Sequence, residues 1–347
     1  MAHLEQLKIN NFRGFDSIEI DGFSKVNLFV GKNNSGKTSI LEALFLMSGM
    51  PYTDLPSVIN SFRGFGLEED ALKYLFYNMS YQNTPSFYGK FSDGNERWLE
   101  LEAIAQKRKD IFSISTPQIN GVKFSFSQNN SLQKETVKFS LIFNNNHTSL
   151  NDEAQESVSK AFNAIFIPAN KNDIGIFSRL SEMILKKENN TILKTLQDTF
   201  GDRIIGITIV GDDVYFDMKD INSLVPINIM GEGIRRFLSI VTAISGKQMV
   251  FACIDEIENG LHYSAHKNLW KELLSVASQS DIQLFITTHN IEVLSSLKTV
   301  LEENFTSMQN DVSIFNVERT KKVGYMAYRY SYKGFMGALE NEIEIRD

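Results

Sequence analysis

The stretch FVGKNNSGKTSILEAL, residues 29–44, sets Gly31, Gly36, Lys37 and Thr38 in the order G-x-x-x-x-G-K-[ST]. The chemistry this spacing serves is phosphate binding. Backbone N–H groups of a glycine-rich turn cradle the anion, the lysine reaches its terminal phosphates, and the hydroxyl coordinates Mg²⁺. Asn33, Asn34, Ser35 and Ser39 fill the rest of the loop and its exit. Val26, Leu28 and Val30 predict a short apolar strand before it. Ile40, Leu41, Leu44 and Phe45 recur at helical spacing after it, so a helix N-terminus faces the anion. Strand, loop and helix agree on a nucleotide site with Mg²⁺; such a loop by itself fits kinases, GTPases and transport ATPases alike.

A second set of candidates lies far along the chain. QMVFACIDEIENGLH runs apolar through Val250, Phe251, Cys253 and Ile254 and then delivers Asp255 and Glu256. An aspartate there can hold Mg²⁺ through water, and the adjacent glutamate can polarise an attacking water as general base. Glu258, two residues on, is the alternative base. IQLFITTHN is another buried strand, ending in His289, which can hydrogen-bond a terminal phosphate and report its loss. Earlier, in NIMGEGIRRFLSIVTAI, Gly231 and Gly233 open a helix whose apolar face is Ile234, Phe237, Leu238 and Val241. Free N–H groups at such a start attract a second anion. Two chains packed head to tail would let each cover the other's nucleotide.

The elements that must position these residues follow from periodicity. HLEQLKINNFRGFDSIEI reads as the first of two strands, the second leading into the phosphate loop. A helix is expected around LEEDALKYLFYNM. Period-two segments then run from 87 to 145, broken by Gly-, Asn- and Ser-rich turns, as an antiparallel β region. AIFIPAN is a buried strand, SRLSEMILKK and TILKTLQDTF are helical, and IIGITIVGDDVYFDM is a hairpin turning at Gly211 and Asp212. From 227 onward strands and helices alternate, which predicts a parallel sheet. SIFNVERTKKVGYMAYRYS reads as a C-terminal hairpin with half-buried tyrosines, in preference to a nucleic-acid platform of interleaved rings and cations. The acidic Glu340, Glu342 and Glu344 after it suit a protein partner better than phosphate.

The 347 residues suffice for a large core, and 42% hydrophobic with 22% charged residues is ordinary for a globular protein. One cysteine, Cys253, gives neither a disulfide framework nor a zinc site, which fits a reducing cytoplasm. No run has the length of a transmembrane helix, and the N-terminus lacks the pattern of a signal peptide. No membrane partner is therefore expected. A net charge of −7 speaks against a generally basic nucleic-acid binder, though not against a local basic groove.

The order NNFRGF, GKNNSGKTS, MGEGIRR, IDEIENGLH and FITTHN resembles the ABC-type ATPases of the RecF and SMC kind. It is most similar to the OLD (overcoming lysogenisation defect) and related AAA-15 ATPases of bacterial anti-phage defence. The resemblance is strong over residues 4–47 and 227–292 and weak over 50–225. It implies an α/β fold: an ABC-type P-loop ATPase with a mixed sheet, an antiparallel β insertion and a small helical insertion. The expected segments are 1–50 and 227–347 for the two halves of the ATPase domain, 51–165 for the mostly β insertion, and 166–226 for the helical and hairpin insertion.

The resemblance also implies a homodimer or larger homo-oligomer that shares its ATP sites. Lys37 and Thr38 would then bind phosphate and Mg²⁺, Asp255 the metal. Glu256 would be the base, His289 the switch, and Gly231 with Gly233 the signature acting in trans. Two positions depart from the ABC pattern: Met230 stands where a serine is usual, and His262 where an aspartate is usual. Hydrolysis is expected to be slow on that account. The Toprim nuclease that follows the ATPase in full OLD proteins has no counterpart in residues 290–347, which carry no D-x-D pair. The expected effector is thus a separately encoded Toprim or RloB-like nuclease. The alternative is a RecF-like repair ATPase that clamps duplex DNA.

Overall fold

The computed structural model describes residues 2–48, 55–65, 69–105, 119–129, 134–144, 147–152, 163–171, 175–245, 249–320 and 324–340. The chain opens with β1 (Leu4–Phe12), β2 (Phe15–Asp21), β3 (Val26–Val30), α1 (Lys37–Ser48) and α2 (Leu55–Phe62). A β region follows: β4 (Ser86–Phe91), β5 (Glu96–Ala105), β6 (Ile119–Asn129), β7 (Lys134–Asn144) and β8 (His147–Asp152). Next come β9 (Ala164–Ile167), α3 (Ile176–Leu185), α4 (Asn189–Phe200), β10 (Ile204–Val210), β11 (Asp213–Met218) and β12 (Val225–Pro226). The last third is α5 (Glu232–Ile244), β13 (Phe251–Ile254), α6 (His266–Gln279), β14 (Gln283–Thr287) and α7 (Ile291–Glu303), then β15 (Val312–Thr320), β16 (Gly324–Tyr330) and α8 (Tyr332–Glu340). The fold is mixed α/β, with parallel and antiparallel sheets, as the sequence predicts.

The chain divides into two compact units. One comprises residues 1–24, 32–163 and 315–329, the other 25–31, 164–314 and 330–347, so the division falls inside the phosphate loop, after Gly31.

In the first unit a seven-stranded antiparallel sheet runs in the order β2-β1-β4-β5-β6-β7-β8. Alternation decides its inner face at Leu7 and Ile9 of β1 and at Phe87 and Phe91 of β4; Phe12 is buried too, its parity shifted by Asn11 at φ 54°. Phe12 and Phe87 meet edge to face at 5.0 Å. Helix α1 lies against this face, close enough that a Cβ on Gly89 would stand 2.6 Å from Met47 Cε.

Two expectations change here. HLEQLKINNFRGFDSIEI forms two strands, not one, because Arg13 and Gly14 turn the chain and Phe12 pairs with Phe15. Asn11 and Arg13 take positive φ to make that turn. The helix expected around LEEDALKYLFYNM is instead two 3₁₀ turns, Glu69–Leu75 and Tyr77–Met79. Asn78 and Met79 both sit at φ 54°, and Phe76 bridges to Phe12, so the chain cannot continue as an α-helix.

In the second unit β9, β13, β14 and β3 pair in parallel, in that order. Parallel strands covered on both faces read as continuous apolar runs, and β3, β13 and β14 are buried at every residue. β10 and β11 form the expected hairpin, with Val210 opposite Asp213 and Gly211 at φ 62°. Cys253 is buried in β13, and burial pushes its thiol far up from the usual range.

β15 and β16 are neighbouring strands, the C-terminal hairpin. Tyr325 and Tyr330 are half-buried as expected, whereas Tyr328 is exposed. The expected turn residues 321–323, and Glu342 and Glu344, lie outside the described residues. Among the described residues no helix is long and apolar enough to cross a membrane.

Candidate functional site

The phosphate-loop residues lie between β3 and α1. Gly31 (φ 136°), Asn34 (φ 64°) and Gly36 (φ 97°) take conformations in the left-handed half of φ space, which winds the backbone back on itself. Within the first unit, the Ser35 N–H donates to Lys32 O at 3.2 Å and Lys37 Nζ donates to the same carbonyl at 2.8 Å. Lys37 and Thr38 are the first two residues of α1, where backbone N–H groups have no earlier turn to bond. Among the described residues the buried Ser35 hydroxyl has no hydrogen-bond partner. Asn33 and Asn34 are exposed and Ser39 is buried.

Sequence reasoning missed what braces this loop. Phe15, from NNFRGF, lies against Gly36: a Cβ there would stand 2.5 Å from Phe15 Cζ. The ring is itself held edge to face by Tyr325 at 4.7 Å. One turn into α1, buried Glu42 takes Arg13 Nε at 3.0 Å and Arg63 Nε at 2.7 Å, and Arg63 also reaches Ser39 Oγ at 3.2 Å. Burial lowers the Arg13 pKa, with Glu42 opposing the shift. A glutamate among the apolar residues of SILEALF was the readable signal for a buried pair.

In the second unit Asp255, Glu256 and His289 come together at the ends of β13 and β14. Thr287 Oγ1 donates to Asp255 Oδ1 at 2.8 Å and accepts from the Glu256 N–H at 2.7 Å. Glu256 sits at φ 44°, an unusual backbone state for a residue with a side chain, and its carboxylate is 37% exposed. His289 Nδ1 lies 3.8 Å from Glu256 Oε1 and 3.1 Å from Glu258 Oε1.

Arg236, fully buried on α5, donates to Pro168 O at 2.7 Å, to Asp255 O, and to Glu256 O at 3.0 Å. Burial pushes its guanidinium down to about 10, with Asp255 the largest opposing influence, so it stays charged at neutral pH. The helix that carries GEGIRR is thereby tied to the strand end that carries the acidic pair.

Gly231 caps α5 in an extended conformation, and among the described residues a Cβ there would meet nothing within 4 Å. Gly233 differs, because a Cβ would stand 2.9 Å from Gly260 O. Among the described residues no contact thus calls for a glycine at 231, whereas close packing requires one at 233. Met230, in the usual serine position, is turned into the core. His262, in the usual aspartate position, keeps a capping role: its Nδ1 accepts from the Ser264 N–H at 3.4 Å.

A phosphate loop at the end of a parallel strand, with an acidic strand end in the same sequence, defines a P-loop ATPase. A family model described as "AAA domain, putative AbiEii toxin, Type IV TA system" matches residues 26–295. The chain belongs to this family. It is similar to an "ATP/GTP phosphatase" of Helicobacter pylori, with 22% identity over 86% of this chain and 89% of that protein. The DNA replication and repair protein RecF of Clostridium acetobutylicum is 48% identical over 46 residues, 13% of each chain. Among solved structures, the Smc head bound to the C-terminal winged-helix domain of ScpA matches at a TM-score of 0.49 and 13% identity, covering 95% of this chain and 99% of that one.

Proposed function

We propose that the chain is an ATP-driven switch of the OLD and AAA-15 kind, a sensor or scaffold in anti-phage defence that controls a separately encoded effector. The observation that carries the catalytic part is Glu256, held at φ 44° by bonds to its N–H and its C=O, with a half-open carboxylate 3.8 Å from His289. A base fixed by its backbone and open to solvent can orient an attacking water. His289 then acts as the switch at the terminal phosphate.

The residues fit MgATP. The phosphate loop keeps a glycine where a ring leaves no room for a Cβ, and the Ser35 hydroxyl is buried and, among the described residues, unpartnered. Thr38 and Asp255, one hydroxyl and one carboxylate, are a donor set that Mg²⁺ takes when phosphates complete its shell. Bound there, Mg²⁺ supplies charge neutralisation on the phosphates. Gly31, Asn33, Asn34, Ser35, Gly36, Lys37 and Ser39 bind the anion. Gly231 and Gly233 present a helix N-terminus to the nucleotide of a second copy, in a homodimer or larger assembly.

Residues 1–50 and 227–347 form the ATPase halves in this reading, with 51–165 and 166–226 inserted between them, and the protein works in the cytoplasm. The family description supports a two-component role, since it names a toxin of a toxin–antitoxin system. A plaque assay tests the defence role: cells carrying the chain with its neighbouring gene should resist phage, and Lys37→Ala should abolish the resistance. Resistance unaffected by Lys37→Ala removes it. The short RecF match favours a second reading, a clamp on duplex DNA. Filter binding that is ATP-dependent, nanomolar and steeply salt-sensitive would select that one.

A further inference from the structure

The acidic segment after β13 carries two glutamates in different surroundings. Glu256 is half-open, whereas the Glu258 side chain is only 7% exposed. Glu258 Oε1 makes two contacts with one residue. It accepts the His289 backbone N–H at 3.0 Å and lies 3.1 Å from His289 Nδ1. At 3.8 Å, Glu256 Oε1 is too far from that nitrogen for a hydrogen bond.

We propose that Glu258 is the positioning residue for His289, not a second general base. The proposal rests on the reading of His289 as the group that meets the terminal phosphate. An acceptor shared by a residue's backbone and its ring fixes both where the loop turns and how the imidazole is rotated. With Nδ1 held beside that oxygen, Nε2 is the ring nitrogen left to meet a ligand.

The surroundings give Glu258 little else to do. Its second oxygen, Oε2, is buried without a hydrogen-bond partner among the described residues. Buried His266 also has both ring nitrogens unpartnered among the described residues; its pKa is lowered by burial, with Glu258 acting against that shift. Arg236 also feels this carboxylate, and His289 beside it lies 3.8 Å from Glu256 Oε1. A half-satisfied buried carboxylate is costly, and an apolar residue would fill the place at less expense. The return visible in the structure is the grip on His289.

The test is a cycle of variants in the full-length protein, with MgATP as the probe. Glu258→Ala should lower kcat about 10- to 100-fold, the usual size for a group that orients a functional histidine, with KM little changed. Combined with His289→Ala it should be no slower than His289→Ala alone, because both act through one ring. Glu258→Gln keeps the reach and the acceptor, and should retain most of the turnover that Ala loses. Glu258→Asp keeps the charge but loses the reach, and should be slow; it also carries the test if Glu258→Ala does not fold. Losses that multiply in the double variant, or Asp faster than Gln, overturn the proposal. If His289→Ala itself turns over at the parental rate, the reading of His289 fails, and the proposal falls with it. If His289→Ala is slow and Glu258→Ala is not, only the proposal fails.

Discussion

The ring of Phe15 occupies the space that a side chain on Gly36 would need, with Cζ 2.5 Å and Cε1 2.7 Å from where a Cβ would stand. Two constraints therefore meet at Gly36, since its φ of 97° also disfavours any residue with a Cβ. Phe15 cannot simply withdraw, because Tyr325 packs edge to face on it at 4.7 Å.

Gly36→Ala should accordingly weaken ATP binding about 5- to 150-fold, the strain of roughly 1–3 kcal/mol being relieved by opening the loop. Adding Phe15→Ala removes the clash but not the φ penalty, so recovery should be partial. Fluorescence titration with labelled ATP gives the answer. Parental affinity in Gly36→Ala would mean that phosphates bind elsewhere.

Glu256→Gln should leave ATP affinity intact and cut turnover about 10²- to 10⁴-fold, as loss of a general base does. The backbone that holds this residue is gripped by Thr287 and Arg236, so exchanging one carboxylate oxygen for an amide leaves the grip in place. A phosphate-release assay beside a binding titration separates the two effects. Full turnover would move the base to another group.

Arg236→Lys tests whether the fork geometry matters. A lysine keeps the charge but serves fewer of the three carbonyls at Pro168, Asp255 and Glu256. Buried acceptors left without donors cost about 1–3 kcal/mol each, so the melting temperature should fall by several degrees. Turnover should fall as well, because Glu256 loses its carbonyl anchor. An unchanged melting curve by calorimetry would contradict this account.

The phosphate loop, the acidic pair, His289 and the alternating pattern of the last third were legible because each is a local spacing with a local physical cause. Hydrophobic period alone separated the β region from the helices. It did not reveal the turn at Arg13 and Gly14, where Asn11 and Arg13 take positive φ without a glycine between them. Thr287 could not be singled out either, since one threonine in FITTHN looks like its neighbour, and only the fold puts Thr287 on Asp255. Arg236 was in view within GEGIRR, but nothing in the sequence separates a buried arginine from its partly exposed neighbour Arg235. The pairing of Glu42 with Arg13 and Arg63 spans 29 and 21 residues, a distance that periodicity does not cover.

The last prediction concerns Gly231. A Cβ there meets nothing within 4 Å among the described residues, so Gly231→Asp should fold normally and bind ATP as the parent does. If the start of α5 meets the nucleotide of a second copy, the new carboxylate repels its phosphates and turnover should collapse. Gly233→Asp is no substitute, because its side chain would collide with the Gly260 carbonyl and disturb the fold itself. Mixing Gly231→Asp with Lys37→Ala then gives a decisive count. Each mixed dimer would hold one site with both defects and one with neither, so two inactive proteins should together recover part of the parental turnover. Size-exclusion chromatography with two differently tagged chains verifies that mixed dimers form. Verified mixing without recovered activity would show that each chain completes its own site.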